Sequence, residues 1–175
     1  MDEVYPWEGK YKDISFFDPS CGSGIFLVEA YRRLVCRWMS QNAVQAITCD
    51  QLNLLLKNSI FGVDINEEAI RVASFSLSLA MCDFLDPRSI WDKLSFPPLL
   101  GKNLISSDFF DEDKSFNKER YDVIVGNPPW QSNITEKTKE YLKKVNRVIG
   151  DKQIAQAFSI KCSELCKRNY LSPYA

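Results

Sequence analysis

Four short apolar runs, each followed by a polar loop, constrain the fold of this 175-residue chain more than any other feature. The runs are residues 14–17, 60–63, 104–105 and 121–125. Between them, apolar side chains recur at three- and four-residue steps, the pattern of amphipathic helices. Short strands alternating with helices predict an α/β fold with a doubly wound, mostly parallel sheet. Such sheets bind ligands in the loops at the carboxyl ends of their strands.

The helices are predicted from the same periodicity. We expect Asn66 to cap the helix that follows the second strand, with Glu67 and Glu68 in its first turn. The remaining helical segments are placed at about 26–38, 43–57, within 86–101, 136–148 and 152–168.

Composition excludes several function classes. With 22 basic and 23 acidic residues, the chain lacks the strongly basic balance of a free-standing nucleic-acid binder. It contains no histidine, which removes the Ser-His and Cys-His nucleophile arrangements. Its six cysteines form no Cys-x-x-Cys pair, so no metal site is predicted. With no apolar signal core in residues 1–12 and no run long enough for a membrane, we expect a cytoplasmic protein.

The first loop, residues 18–24, is rich in small residues after an acidic strand end. Its candidate cofactor-binding residues are Asp18, Pro19, Cys21, Gly22 and Gly24. Glycines there let the backbone approach a ligand closely. An aspartate would repel a pyrophosphate but would suit a ligand with a positive amino group. The alternative is a plain strand-to-helix turn.

Two further aspartates end the second and third strands. Asp64, followed by Ile65, could accept hydrogen bonds from both hydroxyls of a ribose, or could cap a helix. Asp108 could accept from an adenine amino group with Phe109 beside it, although the residues alone favour a solvated loop aspartate.

The fourth loop, Asn127-Pro128-Pro129-Trp130, is the hardest to explain structurally. Two prolines stiffen the backbone and remove two amide donors. The Asn127 and Pro128 carbonyl oxygens could then accept from one amino group, and Trp130 offers a flat face for a base.

The succession Asp-Pro-Ser-Cys-Gly-Ser-Gly, Gly-Val-Asp, Ser-Asp-Phe and Asn-Pro-Pro-Trp resembles the amino-methylating DNA methyltransferases. It is most similar to the adenine-specific branch, which includes large restriction-modification methylases and fused restriction enzymes. The resemblance covers residues 14–170. It implies a Rossmann-like fold, S-adenosylmethionine as cofactor, and methylation of adenine in DNA by a restriction-modification or related defence system.

The resemblance also implies roles for particular residues. Asp18, Gly22 and Gly24 would hold the methionine part of the cofactor, Asp64 its ribose, and Ile65, Asp108 and Phe109 its adenine. For catalysis, Asn127 and the Pro128 carbonyl would hold the target amine, Pro129 would stiffen the loop, and Trp130 would stack on the extruded base.

The sequence differs from the family in which structural elements it contains. Residues 40–57 are interpreted as an inserted helix, and the last strands of the sheet and a target-recognition domain are not recognisable. We therefore expect residues 1–175 to form one partial catalytic domain, with recognition and nuclease domains fused or associated. The alternatives are a methyltransferase for RNA or protein glutamine, and a non-catalytic cofactor-binding scaffold in a DNA-defence complex.

A basic stretch follows the fourth loop. It could touch DNA phosphate, although a solvated helix face is the simpler interpretation. Its members are Lys137, Lys139, Lys143, Lys144, Arg147 and Lys152.

Overall fold

The computed structural model describes residues 14–129, 134–150 and 153–167. Helices separate the strands along this part of the chain, as the sequence predicts; between β3 and β4 the separation is a short 3-10 helix, Ser115–Lys118. In chain order they are β1 (Phe16–Asp18), α1 (Ile25–Gln41), α2 (Cys49–Ser59), β2 (Ile60–Asp64), α3 (Glu67–Cys82), α4 (Pro87–Lys93), β3 (Leu104–Ser106), β4 (Val123–Ile124), α5 (Glu136–Lys144) and α6 (Ile154–Leu165).

The four strands form one sheet in the order β3-β2-β1-β4. Each neighbouring pair is parallel, so all the carboxyl ends lie at the same edge. Asp18 of β1 lies opposite Gly62 of β2, and Asp64 of β2 lies opposite Ser106 of β3. This register brings the predicted polar loops together.

Helices cover both faces of the sheet. Successive strand residues point to opposite faces, so neighbouring residues of β1 belong to different cores. Phe16 packs into a core with residues of α1, α2 and α3, whereas its neighbour Phe17 packs into a second core with residues of α5 and α6. The second core is aromatic: the Phe17 and Tyr121 rings stack with centroids 4.4 Å apart. The sheet is therefore doubly wound.

Several predicted boundaries shift for identifiable reasons. The helix expected at 43–57 begins at Cys49, because Thr48 and Gln51 form a capping box in which the Thr48 hydroxyl accepts from the Gln51 amide at 3.3 Å. The helix expected to reach residue 148 ends at Lys144, and Asn146 is in the left-handed region. The predicted Asn66 cap is confirmed, since its side chain accepts from the amides of Glu68 and Ala69.

Within the described residues, no helix combines the length and the apolar character that a membrane crossing requires.

Candidate functional site

A cavity of about 380 Å³ lies at the carboxyl edge of the sheet. A cavity of this size falls in the range that holds small-molecule ligands. All four predicted loops contribute to its wall, together with residues of α5 and α6. The lining residues are Pro19, Ser20, Asp64, Ile65, Ser107, Asp108, Phe109, Phe110, Pro129, Thr135, Thr138, Ile154 and Phe158.

The first loop turns tightly from β1 into α1. Gly22 and Gly24 have φ of 51° and 84°, which side chains other than glycine rarely adopt. A Cβ on Gly24 would also lie 3.0 Å from the Ala73 Cβ of α3. Glycine is therefore required at position 24 both by backbone conformation and by the close packing of α1 on α3.

Cys21 contributes to this turn from the core side. Its side chain is 4% exposed, and its amide donates to the Val63 carbonyl at 3.0 Å. A Cβ on Gly62 would lie 3.1 Å from the Cys21 Sγ. The thiol packs between the strand and the loop, and burial raises its pKa.

Asp18 is fully buried at the end of β1. Its Oδ1 accepts from the Ser20 amide at 3.0 Å, whereas its Oδ2 is buried without a hydrogen-bond partner among the described residues. Burial raises the pKa of this carboxyl to about 7, and the nearby Asp64 carboxylate adds to the shift. A buried acceptor with spare capacity fits a positively charged amine in the ligand.

Asp18→Asn should make stability less dependent on pH. The folded protein keeps a proton on Asp18 up to about pH 7, whereas the unfolded chain loses it near pH 3.8. The free energy of unfolding of the wild type therefore decreases as the pH rises from about 4 to 7. The variant should therefore exceed the wild type in free energy of unfolding by up to about 4 kcal/mol at pH 8 and match it near pH 4. Urea denaturation of both proteins across this range measures the difference; a pH-independent difference would refute it. Asp92→Asn, on exposed α4, is the control.

Asp64 organises the second loop. Its Oδ2 accepts from the Gly22 amide and its Oδ1 from the Asn66 amide, both at 2.9 Å. The helix cap is Asn66 rather than Asp64, so the capping alternative for Asp64 is wrong. Each carboxylate oxygen can accept a second hydrogen bond. The following Ile65 is 69% exposed and lines the cavity, where a flat ligand ring could cover it.

Asp108 and Phe109 form a turn after β3. Asp108 Oδ1 accepts from the Phe110 amide at 2.9 Å, and its Oδ2 accepts from the Thr135 hydroxyl at 2.7 Å. Phe109 is 3% exposed and stacks on Phe158, with ring centroids 4.9 Å apart. The turn therefore joins the cavity to the aromatic core.

The fourth loop follows β4 beside the first. Val125 donates its amide to the Phe17 carbonyl at 3.0 Å, and a Cβ on Gly126 would lie 2.7 Å from Asp18 Oδ1. Glycine at 126 therefore lets the two loops touch. Asn127 is exposed, Pro128 is half-buried and Pro129 lines the cavity. Trp130 lies outside the described residues, and its stacking role stays a prediction.

The comparison with protein families matches the Eco57I restriction-modification methylase model to residues 58–173. This match covers three of the four strands and their loops. The chain belongs to the Eco57I methylase family.

Curated relatives of the chain agree with the family match. The chain is 30% identical over 193 aligned residues to the adenine-specific methyltransferase PglX of Streptomyces coelicolor, covering 90% of this chain and 16% of PglX. It is 26% identical to the type II restriction enzyme and methyltransferase RM.Eco57I of Escherichia coli, covering 67% of this chain and 14% of that protein. The chain thus spans less than a fifth of the length of both relatives.

The fold of the methylase domain also matches a solved structure. That structure is a nuclease-deletion mutant of the type ISP restriction-modification enzyme LlaGI in complex with a DNA substrate mimic. The TM-score is 0.56 at 16% identity, and the match covers 87% of this chain and 14% of that one. At this identity the likeness shows the fold.

The basic stretch after the fourth loop is largely paired within the methylase domain. Three ion pairs involve it: Lys137 with Asp111, Lys139 with Glu136, and Lys144 with Glu112. This pairing favours the interpretation of a solvated helix face. Lys152 lies outside the described residues.

Sequence reasoning missed Thr135 and Phe158, which line the cavity, and Lys161, which lies in the aromatic core beside it. Thr135 both caps α5 and binds Asp108. A Ser or Thr before a helical pattern is a recognisable cap signal, but the long-range hydrogen bond to Asp108 leaves no signal in the sequence. Lys161 falls on the buried stripe of α6, where a lysine is anomalous. That anomaly could have singled it out.

Proposed function

We propose that this domain binds S-adenosylmethionine and directs methyl transfer to the exocyclic amine of adenine in DNA. The observation that carries the proposal is the convergence of four loops, including Asn127-Pro128-Pro129, on the carboxyl edge of one sheet. The family and its adenine-specific relatives support the same reaction.

The chemistry of the cavity fits the cofactor. Asp18 is not among the residues that line the cavity, but it directly precedes Pro19 and Ser20, which do. Its buried carboxylate has an acceptor oxygen without a partner among the described residues, which suits the ammonium group of the methionine part. Asp64 retains acceptor capacity for the two ribose hydroxyls, and Ile65 offers an apolar surface for adenine. Asp108 can accept from the adenine amine. When bound, the cofactor supplies an electrophilic methyl group on its sulfonium, so the protein mainly has to align it.

Asn127 would activate the target amine. The nitrogen of an adenine amine is a poor nucleophile, because its lone pair is delocalised into the ring. Two carbonyl acceptors, from the Asn127 side chain and the Pro128 backbone, would bind its hydrogens and favour a pyramidal nitrogen with a freer lone pair. They would also stabilise the positive charge that develops during attack.

The target base must leave the double helix to reach these acceptors. Extruding one base from a duplex costs a few kcal/mol. The domain is nearly neutral in charge, so most of the contact with DNA is assigned to recognition domains outside these 175 residues. Fused or associated nuclease domains, as the names of RM.Eco57I and LlaGI indicate for those proteins, complete the proposed system.

Transfer of a labelled methyl group tests the proposal. The full-length enzyme, in which this domain works with its recognition domain, is incubated with S-adenosylmethionine labelled on its methyl group and with mixed-sequence duplex DNA, or with RNA of the same sequence, and the nucleic acid is digested to nucleosides. We expect label in N6-methyladenine from the DNA alone. Label in RNA, in protein or in a cytosine product would refute the assigned substrate.

A further inference from the structure

Lys161 is a lysine buried in the aromatic core behind the cavity. It lies on the buried face of α6 with Phe158 and Leu165, and it is only 3% exposed. Its Nζ lies 4.9 Å from the centroid of the Phe109 ring and 5.4 Å from that of Tyr141. The ammonium donates a 2.6 Å hydrogen bond to the Phe109 carbonyl oxygen, across 52 residues of sequence.

That carbonyl belongs to the turn that closes the cavity after β3. On the cavity side, Asp108 Oδ1 holds the Phe110 amide, and the Ser107 amide donates to the Asp64 carbonyl at 2.9 Å. On the core side, the bond from Lys161 fixes the carbonyl of the same Phe109–Phe110 peptide whose amide Asp108 holds. Hydrogen bonds therefore hold the turn from the cavity side, through Asp108, and from the core side, through Lys161.

Stability alone does not explain a lysine at this position. The hydrogen-bond partner is a neutral carbonyl, while the nearby carboxylates of Asp111 and Glu112 form ion pairs with Lys137 and Lys144. No carboxylate among the described residues forms a salt bridge with this ammonium, and burying an unpaired ammonium is costly. Burial lowers its pKa to about 8, although the carboxylates of Glu112 and Asp108 oppose the shift. Its contacts with the ring faces recover part of that cost. A methionine has similar length and would fill the same space without the charge.

We propose that Lys161 is a positioning residue for the adenine ring of the cofactor. By holding the Phe109 carbonyl, it fixes the orientation in which Asp108 and Phe109 meet the ring. This inference rests on the proposed function, because it assumes that the cavity binds an adenine nucleoside.

The test uses calorimetric titration with 5′-methylthioadenosine, an adenine nucleoside that lacks the amine and carboxylate of the cofactor. We expect Lys161→Met to weaken binding at least about 10-fold, a loss of roughly 1.4 kcal/mol. Lys161→Arg keeps a donor and should recover part of the affinity. Lys57→Met, on the exposed face of α2, is the matched control and should bind as the wild type does.

Thermal unfolding separates a positioning role from a purely structural one. Lys161→Met should melt at the same temperature as the wild type or higher at pH 7, because it removes a buried charge. Its advantage should shrink as the pH rises from about 8 towards 10.5, since the folded wild type then loses its proton first. The titratable groups around Lys161 are common to both proteins: Asp108, Asp111 and Glu112 after β3, Tyr141 on α5, and Cys162 and Glu164 on α6.

Three outcomes overturn the inference. Unchanged affinity in Lys161→Met would show that the turn needs no anchor, and a variant that fails to fold or melts lower would show a structural role. If the wild type binds neither 5′-methylthioadenosine nor S-adenosylmethionine, the proposed function itself fails, and the inference fails with it. A wild type that binds both, beside a Lys161→Met variant that binds equally, refutes the inference alone.

Discussion

Asn127→Ala should lower the rate of methyl transfer roughly 100- to 1,000-fold, the usual effect of deleting one preorganised hydrogen-bonding group that stabilises a transition state. The alanine keeps the backbone but loses the side-chain carbonyl that would hold the adenine amine. Cofactor affinity should stay within about twofold, because the cofactor contacts assigned above come from the other three loops. Single-turnover transfer of a labelled methyl group to DNA by the full-length enzyme, beside calorimetric binding of S-adenosylmethionine, measures both quantities.

The control for this variant is Asn58→Ala. Asn58 is an exposed asparagine on α2, and it lines a different groove from the cavity at the carboxyl edge of the sheet. The Asn58→Ala variant should transfer methyl groups at the wild-type rate. A wild-type rate in Asn127→Ala would contradict the assignment of the fourth loop to catalysis, and a parallel loss of cofactor binding would assign Asn127 to the cofactor site instead.

Asp64→Ala should weaken the binding of S-adenosylmethionine about 100-fold or more. Two hydrogen bonds from ribose hydroxyls to one carboxylate contribute about 1.5 to 3 kcal/mol each. The substitution also removes the acceptor that holds the Gly22 amide, so the first loop loses its link to β2. Both effects reduce affinity, and equilibrium dialysis with the labelled cofactor measures the loss.

Two further variants make the Asp64 result specific. Asp64→Asn keeps the shape and one acceptor oxygen, so it should bind between the wild type and the alanine variant. Asp92→Ala removes an exposed aspartate of α4 and should bind normally. An Asp64→Ala protein that binds the cofactor as tightly as the wild type would remove the ribose role from Asp64.

The sequence predicted the sheet and its polar edge because both depend on local pattern. An apolar run such as residues 60–63 followed by Asp64 is short enough for a strand, and parallel strands place their loops at one edge. The helix start at Cys49 was missed because apolar periodicity extends through Ala43 and Ile47, whereas the capping box at Thr48 sets the true start. Periodicity indicates a helix more reliably than it indicates where one begins.

The long-range contacts of the site could not be predicted in the same way. The bond from Thr135 to Asp108 spans 27 residues, and the bond from Lys161 to Phe109 spans 52. Both depend on how α5 and α6 pack against the end of β3. The raised pKa of Asp18 depends on burial, which the sequence does not report.

A crystal structure of the protein with S-adenosylhomocysteine, the demethylated form of the cofactor, tests the central claim most directly. We expect the ligand in the cavity of about 380 Å³, with its amine on Asp18, its ribose hydroxyls on Asp64, its adenine between Ile65 and the Asp108 turn, and its sulfur facing Asn127. A ligand bound elsewhere, or one whose sulfur faces away from Asn127, would contradict the assignment of the four loops to one methyl-transfer site.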